Sequence, residues 1–238
     1  MIRYINILLV AGMLVMNYLA NALPLNNKTT GELSDAFPNL FVPSGLTFSI
    51  WGVIYTLIII YCVVQFTGSD KEVISNISWL FGISCILNAL WIVFWHYGKI
   101  PFSLLVMLGI LITLIYINIS IRNSPFGIIK ASFGIYLGWI CIATIANVTA
   151  LLVKLNWNGF NISEEIWTMI MIFAGTMIVA ITIYQLKNPF IGLSVIWAFI
   201  GIAIKRHDDY RSVFISAIVA LILVSLVTLG GFLRKSFA

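Results

Sequence analysis

The sequence predicts an all-α protein, a polytopic transmembrane helical bundle with eight spans. Three observations carry this. Apolar residues make up 61% of the 238-residue chain and charged residues only 9%, whereas soluble domains carry about 25% charged residues. The apolar residues gather into runs of span length, since about 20 residues cross a bilayer as a helix. Most of the polar breaks between runs are brief, as in a compact helical bundle. So few charges could not cover the surface of a water-soluble domain. The lipid bilayer is therefore the first expected partner, and the cell membrane the expected location of this multi-pass chain.

The spans are expected near 4–22, 46–66, 74–96, 101–121, 128–153, 164–186, 189–204 and 210–232. The first follows Arg3 and ends at Ala20-Asn21-Ala22, which imitates a signal-peptide cleavage site. Its run from Ile5 to Leu23 is long enough to span, so it is read as a retained helix. The connection to the second span is the longest in the chain and carries Pro24, Pro38 and Pro43. Within it, Thr29-x-x-Glu32 has the spacing of a helix capping box. A short helix near Thr30 to Phe37 is expected there, lying across one mouth of the bundle as a lid. The third, fourth and fifth spans follow with short breaks. The sixth opens on Ser163-Glu164-Glu165, residue types that suit a helix N-terminus. The seventh, starting at Pro189, is short for a span and either crosses thinly or dips in. The eighth follows the charged break around His207-Asp208-Asp209, which is read as a solvated loop, not a metal site.

Several function classes are poorly served by this composition. The net charge of +5 reflects Lys and Arg at loop ends, not a basic run with interleaved aromatics, so no nucleic acid is expected as partner. Those cations divide almost evenly between the two sides, which leaves orientation undecided. Cys62, Cys85 and Cys141 lie inside apolar runs without paired spacing and read as small buried hydrophobes. No metal site is implied, and no GxSxG, HExxH or P-loop pattern occurs.

Within the spans, polar and aromatic residues form stripes. Trp51 and Tyr55 are four apart and share a helical face. Asn88, Trp91 and Trp95 share a face of the third span, and Tyr136, Trp139, Ala143 and Asn147 form one stripe on the fifth. An asparagine in hydrocarbon must find partners, so both stripes should face protein or a polar cavity. They serve either as packing between helices, with Ala143 permitting close approach, or as the wall of a site for a flat apolar molecule.

Taken together, Pro43-x7-Trp51-x3-Tyr55, Asn88-x2-Trp91-x3-Trp95 and Tyr136-x2-Trp139-x3-Ala143-x3-Asn147 resemble the signature stripes of the TspO/MBR family. These are the tryptophan-rich sensory proteins related to the translocator protein. The resemblance covers residues 1–155, a five-helix core with its long first loop. Residues 156–238 form a C-terminal extension of about three further helices. Proline and tryptophan positions before the second span differ from the usual pattern, so the chain resembles a divergent, extended member.

The resemblance implies a cavity under the first loop that binds a tetrapyrrole such as protoporphyrin or haem, or a sterol-like ligand. Its wall would use Pro43, Trp51, Tyr55, Asn88, Trp91, Trp95, Tyr136, Trp139, Ala143 and Asn147. The expected role is sensory or ligand-binding, non-enzymatic, with no required cofactor, and a homodimer is the assembly left open. His96 is read as an interfacial histidine ahead of an axial haem ligand. Two other classes stay in view. One is a transporter of hydrophobic substrates or lipids, for which Pro189-x7-Trp197 repeats the Pro43-x7-Trp51 spacing in a helix of opposite direction. The other is a membrane enzyme using Asp35, Asp208 and Asp209, which fall on one side of an eight-span bundle.

Overall fold

The computed structural model describes residues 2–22, 25–67 and 71–234; Pro24 of the first connection lies outside them. Among the described residues the chain is helical throughout, as α1 (Ile2–Asn21), α2 (Thr30–Asp35), α3 (Ile50–Thr67), α4 (Lys71–His96), α5 (Ile100–Ser120), α6 (Ile128–Lys154), α7 (Glu164–Leu186), α8 (Phe190–Arg206) and α9 (Arg211–Leu233). Seven of these, all but α2 and α8, are long and apolar enough to cross a membrane. The protein is an integral, multi-pass membrane protein.

Local chemistry sets the helix ends. At α2 both halves of the capping box form: the Glu32 N–H donates to the Thr29 hydroxyl, and the Thr29 N–H donates to the Glu32 carboxylate at 2.7 Å. The Thr29 hydroxyl also donates to the Glu32 carboxylate, at 2.9 Å, and the two bonds that the carboxylate accepts from the Thr29 N–H and hydroxyl hold it below its ordinary range. Gly98, with φ +65°, makes the tight turn between α4 and α5. Ser163 caps α7, with Glu164 and Glu165 in its first turn. Lys187 ends α7 in a left-handed conformation, and Pro189 directs the chain back into α8.

α8 is the short helix expected at 189–204. Its 17 residues reach about 26 Å at 1.5 Å per residue, less than a typical hydrocarbon core of about 30 Å. It can be short because it sits inside protein. Ile191, Val195, Ala198, Phe199 and Ile202 are fully buried, between α6 on one side and α9 on the other. Glycines permit this approach. A Cβ on Gly138 of α6 would lie 2.0 Å from the Ile191 carbonyl oxygen, and one on Gly192 would lie 1.8 Å from Thr228 Oγ1. Small residues at such crossings are the usual device for close packing in a membrane.

At the end of the bundle where α1 starts and α9 ends, a buried polar knot joins α5, α6 and the α7–α8 turn. Lys130 is 1% exposed, and its Nζ donates to the carbonyls of Arg122 and Lys187, each at 2.9 Å. Asn188 donates to Asn118 Oδ1 at 2.8 Å and to the Lys130 carbonyl at 3.0 Å. A lysine of the kind expected merely to mark a loop end instead ties two turns together.

At the opposite end, α8 holds the first connection. Arg206 donates through Nε to the Leu40 carbonyl at 3.1 Å and through Nη2 to the Asn39 carbonyl at 2.8 Å. Lys205 pairs with Asp35 at 2.8 Å. The Ser44 N–H donates to the Gly201 carbonyl at 3.1 Å, and the Trp197 indole donates to the Thr47 carbonyl at 2.9 Å. The two Pro-x7-Trp segments thus touch.

Candidate ligand-binding cavity

Beneath α2 and the strap that follows it lies a small cavity of about 40 Å³. Its lining contains seven residues named from the sequence: Pro43, Trp51, Trp91, Trp95, Trp139, Ala143 and Asn147. The 3.6-residue period of three helices brings them together. Trp51 from α3 faces Trp91 of α4 with ring centroids 6.4 Å apart, and meets Trp139 of α6 edge to face at 6.1 Å. Trp91 stacks on Trp95 at 5.5 Å. Such offset and T-shaped geometries are the favourable arrangements for aromatic quadrupoles.

The other three predicted residues, Tyr55, Asn88 and Tyr136, lie one layer deeper in a hydrogen-bonded chain. The Tyr55 hydroxyl donates to Asn17 Oδ1 at 2.5 Å, Asn17 Nδ2 donates to Asn88 Oδ1 at 2.8 Å, and Asn88 Nδ2 donates to the Tyr136 hydroxyl at 2.8 Å. This chain crosses α3, α1, α4 and α6. It supports the rings above, since Trp51 stacks on Tyr55 at 5.4 Å and meets Tyr136 edge to face at 6.0 Å. Asn147 is paired separately with Ser103 of α5, donating through Nδ2 at 3.1 Å. Asn88 and Asn147 are 1% and 2% exposed, so both stripes face inward, as the cost of an unpaired amide in lipid requires.

Among the described residues, three polar atoms of the lining side chains have no hydrogen-bond partner: Trp91 Nε1, Trp139 Nε1 and Thr30 Oγ1. Each belongs to a residue at most 6% exposed. Buried donors left unpaired cost about 1–3 kcal/mol each. Two indole N–H groups and one hydroxyl, all on residues that line the same small space, are therefore left unsatisfied.

Six lining or supporting residues were not anticipated. Asn17 follows the same rule that exposed Asn88, a lone amide inside an apolar span. Thr30 and Ser34 line the cavity because α2 dips into its mouth. Phe48, Ile142 and Ala146 are ordinary apolar residues with no signal of their own. His96 is buried but outside the cavity, with Nδ1 2.9 Å from the Ile92 carbonyl oxygen of its own helix.

Asp35 and Asp209 do share a polar basin of about 450 Å³ at this mouth, together with Glu164. Asp208 is outside it and pairs with His207 on the surface. Among the described residues no group of three or more His, Cys, Asp or Glu side chains is placed to hold a metal ion.

These features define an integral membrane protein with an aromatic cavity between α3, α4 and α6, roofed by its first connection. The sequence matches the family described as TSPO-like protein over residues 3–230, so the chain belongs to that family. The match continues through α7 and α8 and most of α9. No curated protein and no solved structure matches the chain.

Proposed function

We propose that the protein binds a hydrophobic small molecule in the aromatic cavity and acts as a membrane binding or sensory protein. The ligand class we favour is a tetrapyrrole, with sterol-like molecules second. The observation that carries this is the set of unpartnered polar atoms, Trp91 Nε1, Trp139 Nε1 and Thr30 Oγ1, on residues of a largely aromatic and apolar wall. Wall rings supply contact area to a flat apolar body, and the two N–H groups suit acceptors at its edge, such as carboxylates or carbonyls.

The cavity of about 40 Å³ is far below the roughly 300–1,000 Å³ typical of small-molecule sites. Binding is therefore coupled to opening: the rings part and the strap above them moves. The test is quenching of tryptophan fluorescence in the purified protein by protoporphyrin, haem and a sterol. Saturable quenching by one of them supports the reading. Linear, non-saturating quenching by all three overturns it.

A further inference from the structure

A second, larger chamber lies beside the aromatic cavity. It has a volume of about 350 Å³ and is lined by Val148 and Leu152 of α6, Thr168 and Met171 of α7, and Leu40 and Phe41 of the strap. It opens between the ends of α6 and α7, where the two helices touch only sparsely, next to the Trp157–Trp167 ring pair at 5.1 Å. Aromatic pairs of this kind mark the level of a membrane interface.

The two spaces are neighbours. Successive turns of α6 line first the aromatic cavity, from Trp139 to Asn147, and then the outer chamber, from Val148 to Val153. The strap also serves both: Pro38 to Phe41 face the outer chamber and Pro43 the inner one. Phe41, 1% exposed, walls the outer chamber, and Val42, 3% exposed, faces the polar basin.

We propose that the outer chamber is an entry site for the cavity's ligands, flat and largely apolar molecules with a polar edge, arriving from the bilayer, and that the strap is the gate to the aromatic cavity. Arg206 is its bolt. The strap has internal order of its own, since Asn39 Oδ1 accepts from the N–H groups of Phe41 and Val42, each at 3.1 Å. It therefore moves as a unit, and its middle is fixed to the bundle by the guanidinium bridge to the Asn39 and Leu40 carbonyls, with the Lys205–Asp35 pair before it and the Ser44–Gly201 bond after it. The route lies between α6 and α7, so the C-terminal helices provide one wall of the chamber and the bolt. A largely apolar body suits a chamber whose wall is mostly apolar and whose volume is several times that of the inner cavity, and Asn39, Asn158 and Glu164 of its lining suit a polar edge. The proposal rests on the reading of the aromatic cavity as the binding site.

Its test needs no natural ligand. In a variant with Cys62, Cys85 and Cys141 changed to alanine, Ala143→Cys places one thiol on the inner wall. Its modification by methyl methanethiosulfonate, a small uncharged reagent, is followed by intact mass. Filling the chamber from either wall, with Leu152→Trp or Met171→Trp, is expected to slow labelling at least tenfold. Arg206→Gln is expected to speed it at least tenfold. A thiol at Ser78→Cys, buried near the other end, reports general loosening and should label at one rate in all folded backgrounds.

Two plugs on different helices guard against one failing to fold, as judged by gel filtration. If folded plug variants label Ala143→Cys at the parental rate, or Arg206→Gln leaves that rate unchanged, the proposal is overturned. The same holds if Arg206→Gln accelerates Ser78→Cys equally. Labelling as expected with no saturable protoporphyrin, haem or sterol binding would instead remove the assignment of ligand and leave the route. Saturable binding with labelling indifferent to the plugs would remove the route alone.

Discussion

Replacing Trp139 by Phe separates a binding wall from packing, because the two roles predict different patterns in stability and affinity. Trp139 is 3% exposed, and its indole N–H has no partner. The substitution keeps an aromatic ring against Trp51 and Phe48 and removes the unpaired donor. Relief of that donor is worth about 1–3 kcal/mol. The lost ring atoms forfeit contacts of about 0.1–0.2 kcal/mol each, on the order of 1–2 kcal/mol together. The effects oppose each other, so the ligand-free protein should change by less than about 1 kcal/mol in stability. In the complex the N–H donates to the ligand, and its removal costs about 1.4 kcal/mol for a neutral acceptor and twice that for a carboxylate. That is a loss of roughly tenfold or a hundredfold in affinity. Thermal unfolding in detergent gives the first quantity, and protoporphyrin quenching of the remaining tryptophans gives the second. A variant destabilised by about 2 kcal/mol or more with unchanged affinity would refute the reasoning, because the N–H would then be bonded in the free protein.

Trp157→Ala, in the outer chamber wall, should leave equilibrium affinity for protoporphyrin within about twofold, while Trp139→Ala lowers it by about thirtyfold, as expected for peripheral and central aromatic contacts; titration of both folded variants decides this. Thr29→Ala removes the cap of α2 at a cost of about 1 kcal/mol, and hydrogen exchange should quicken in Thr30 to Asp35. The Glu32 half of that box has a depressed pKa, so its contribution is fully present above its ordinary value of 4.5 and is lost as pH falls through the lower folded value. Protection of the α2 amides, measured relative to the intrinsic exchange rate at each pH, should therefore fall below that range in the parent and stay level in Glu32→Gln. Gly138→Ala puts a methyl 2.0 Å from the Ile191 carbonyl oxygen, and overpacking of this kind costs about 1–3 kcal/mol; an unchanged unfolding temperature would mean that α8 is not wedged against α6.

The spans were legible because the apolar runs have span length and are separated by polar breaks, and two helix starts were legible from local chemistry: Ser163 with the two glutamates at α7, and Thr29 with Glu32 at α2. The stripes were legible for a different reason. Asn88 and Asn147 cannot face lipid unpaired, so the rings in phase with them had to face inward as well. That rule, carried into the first span, would also have placed Asn17, which closes the chain from Tyr55 to Tyr136. Other features had no local signal. Lys130 and Arg206 look like loop-end cations in sequence, and their partners are backbone carbonyls, which no side-chain pattern reveals. Arg206 reaches Leu40 across 166 positions. Phe48, Ile142 and Ala146 enter the cavity wall only through the packing of α3 on α6.

The closed cavity and the clamped strap belong to one balance. With no ligand, the rings of Trp51, Trp91, Trp95 and Trp139 cover one another, which keeps their faces dry but strands two indole donors. Opening the strap breaks the guanidinium bonds of Arg206, charge-assisted contacts worth about 1.5–3 kcal/mol each. A ligand that satisfies Trp91, Trp139 and Thr30 recovers about 1–3 kcal/mol at each, so gain and cost have similar size. A ligand with an apolar body alone would recover no donor and would have to offset strap opening by contact area only. On the proposed function, the cavity is expected to discriminate by the polar edge of its ligand, not by its bulk. Protoporphyrin and its dimethyl ester make the comparison: their rings are alike, while the ester replaces charged acceptors with neutral ones. The ester should bind more weakly by about tenfold, the difference of roughly 1.4 kcal/mol between neutral and charged acceptors. Trp139→Phe should shrink that gap. Equal affinity of acid and ester in the parent protein would show that the indole donors do not read the ligand edge.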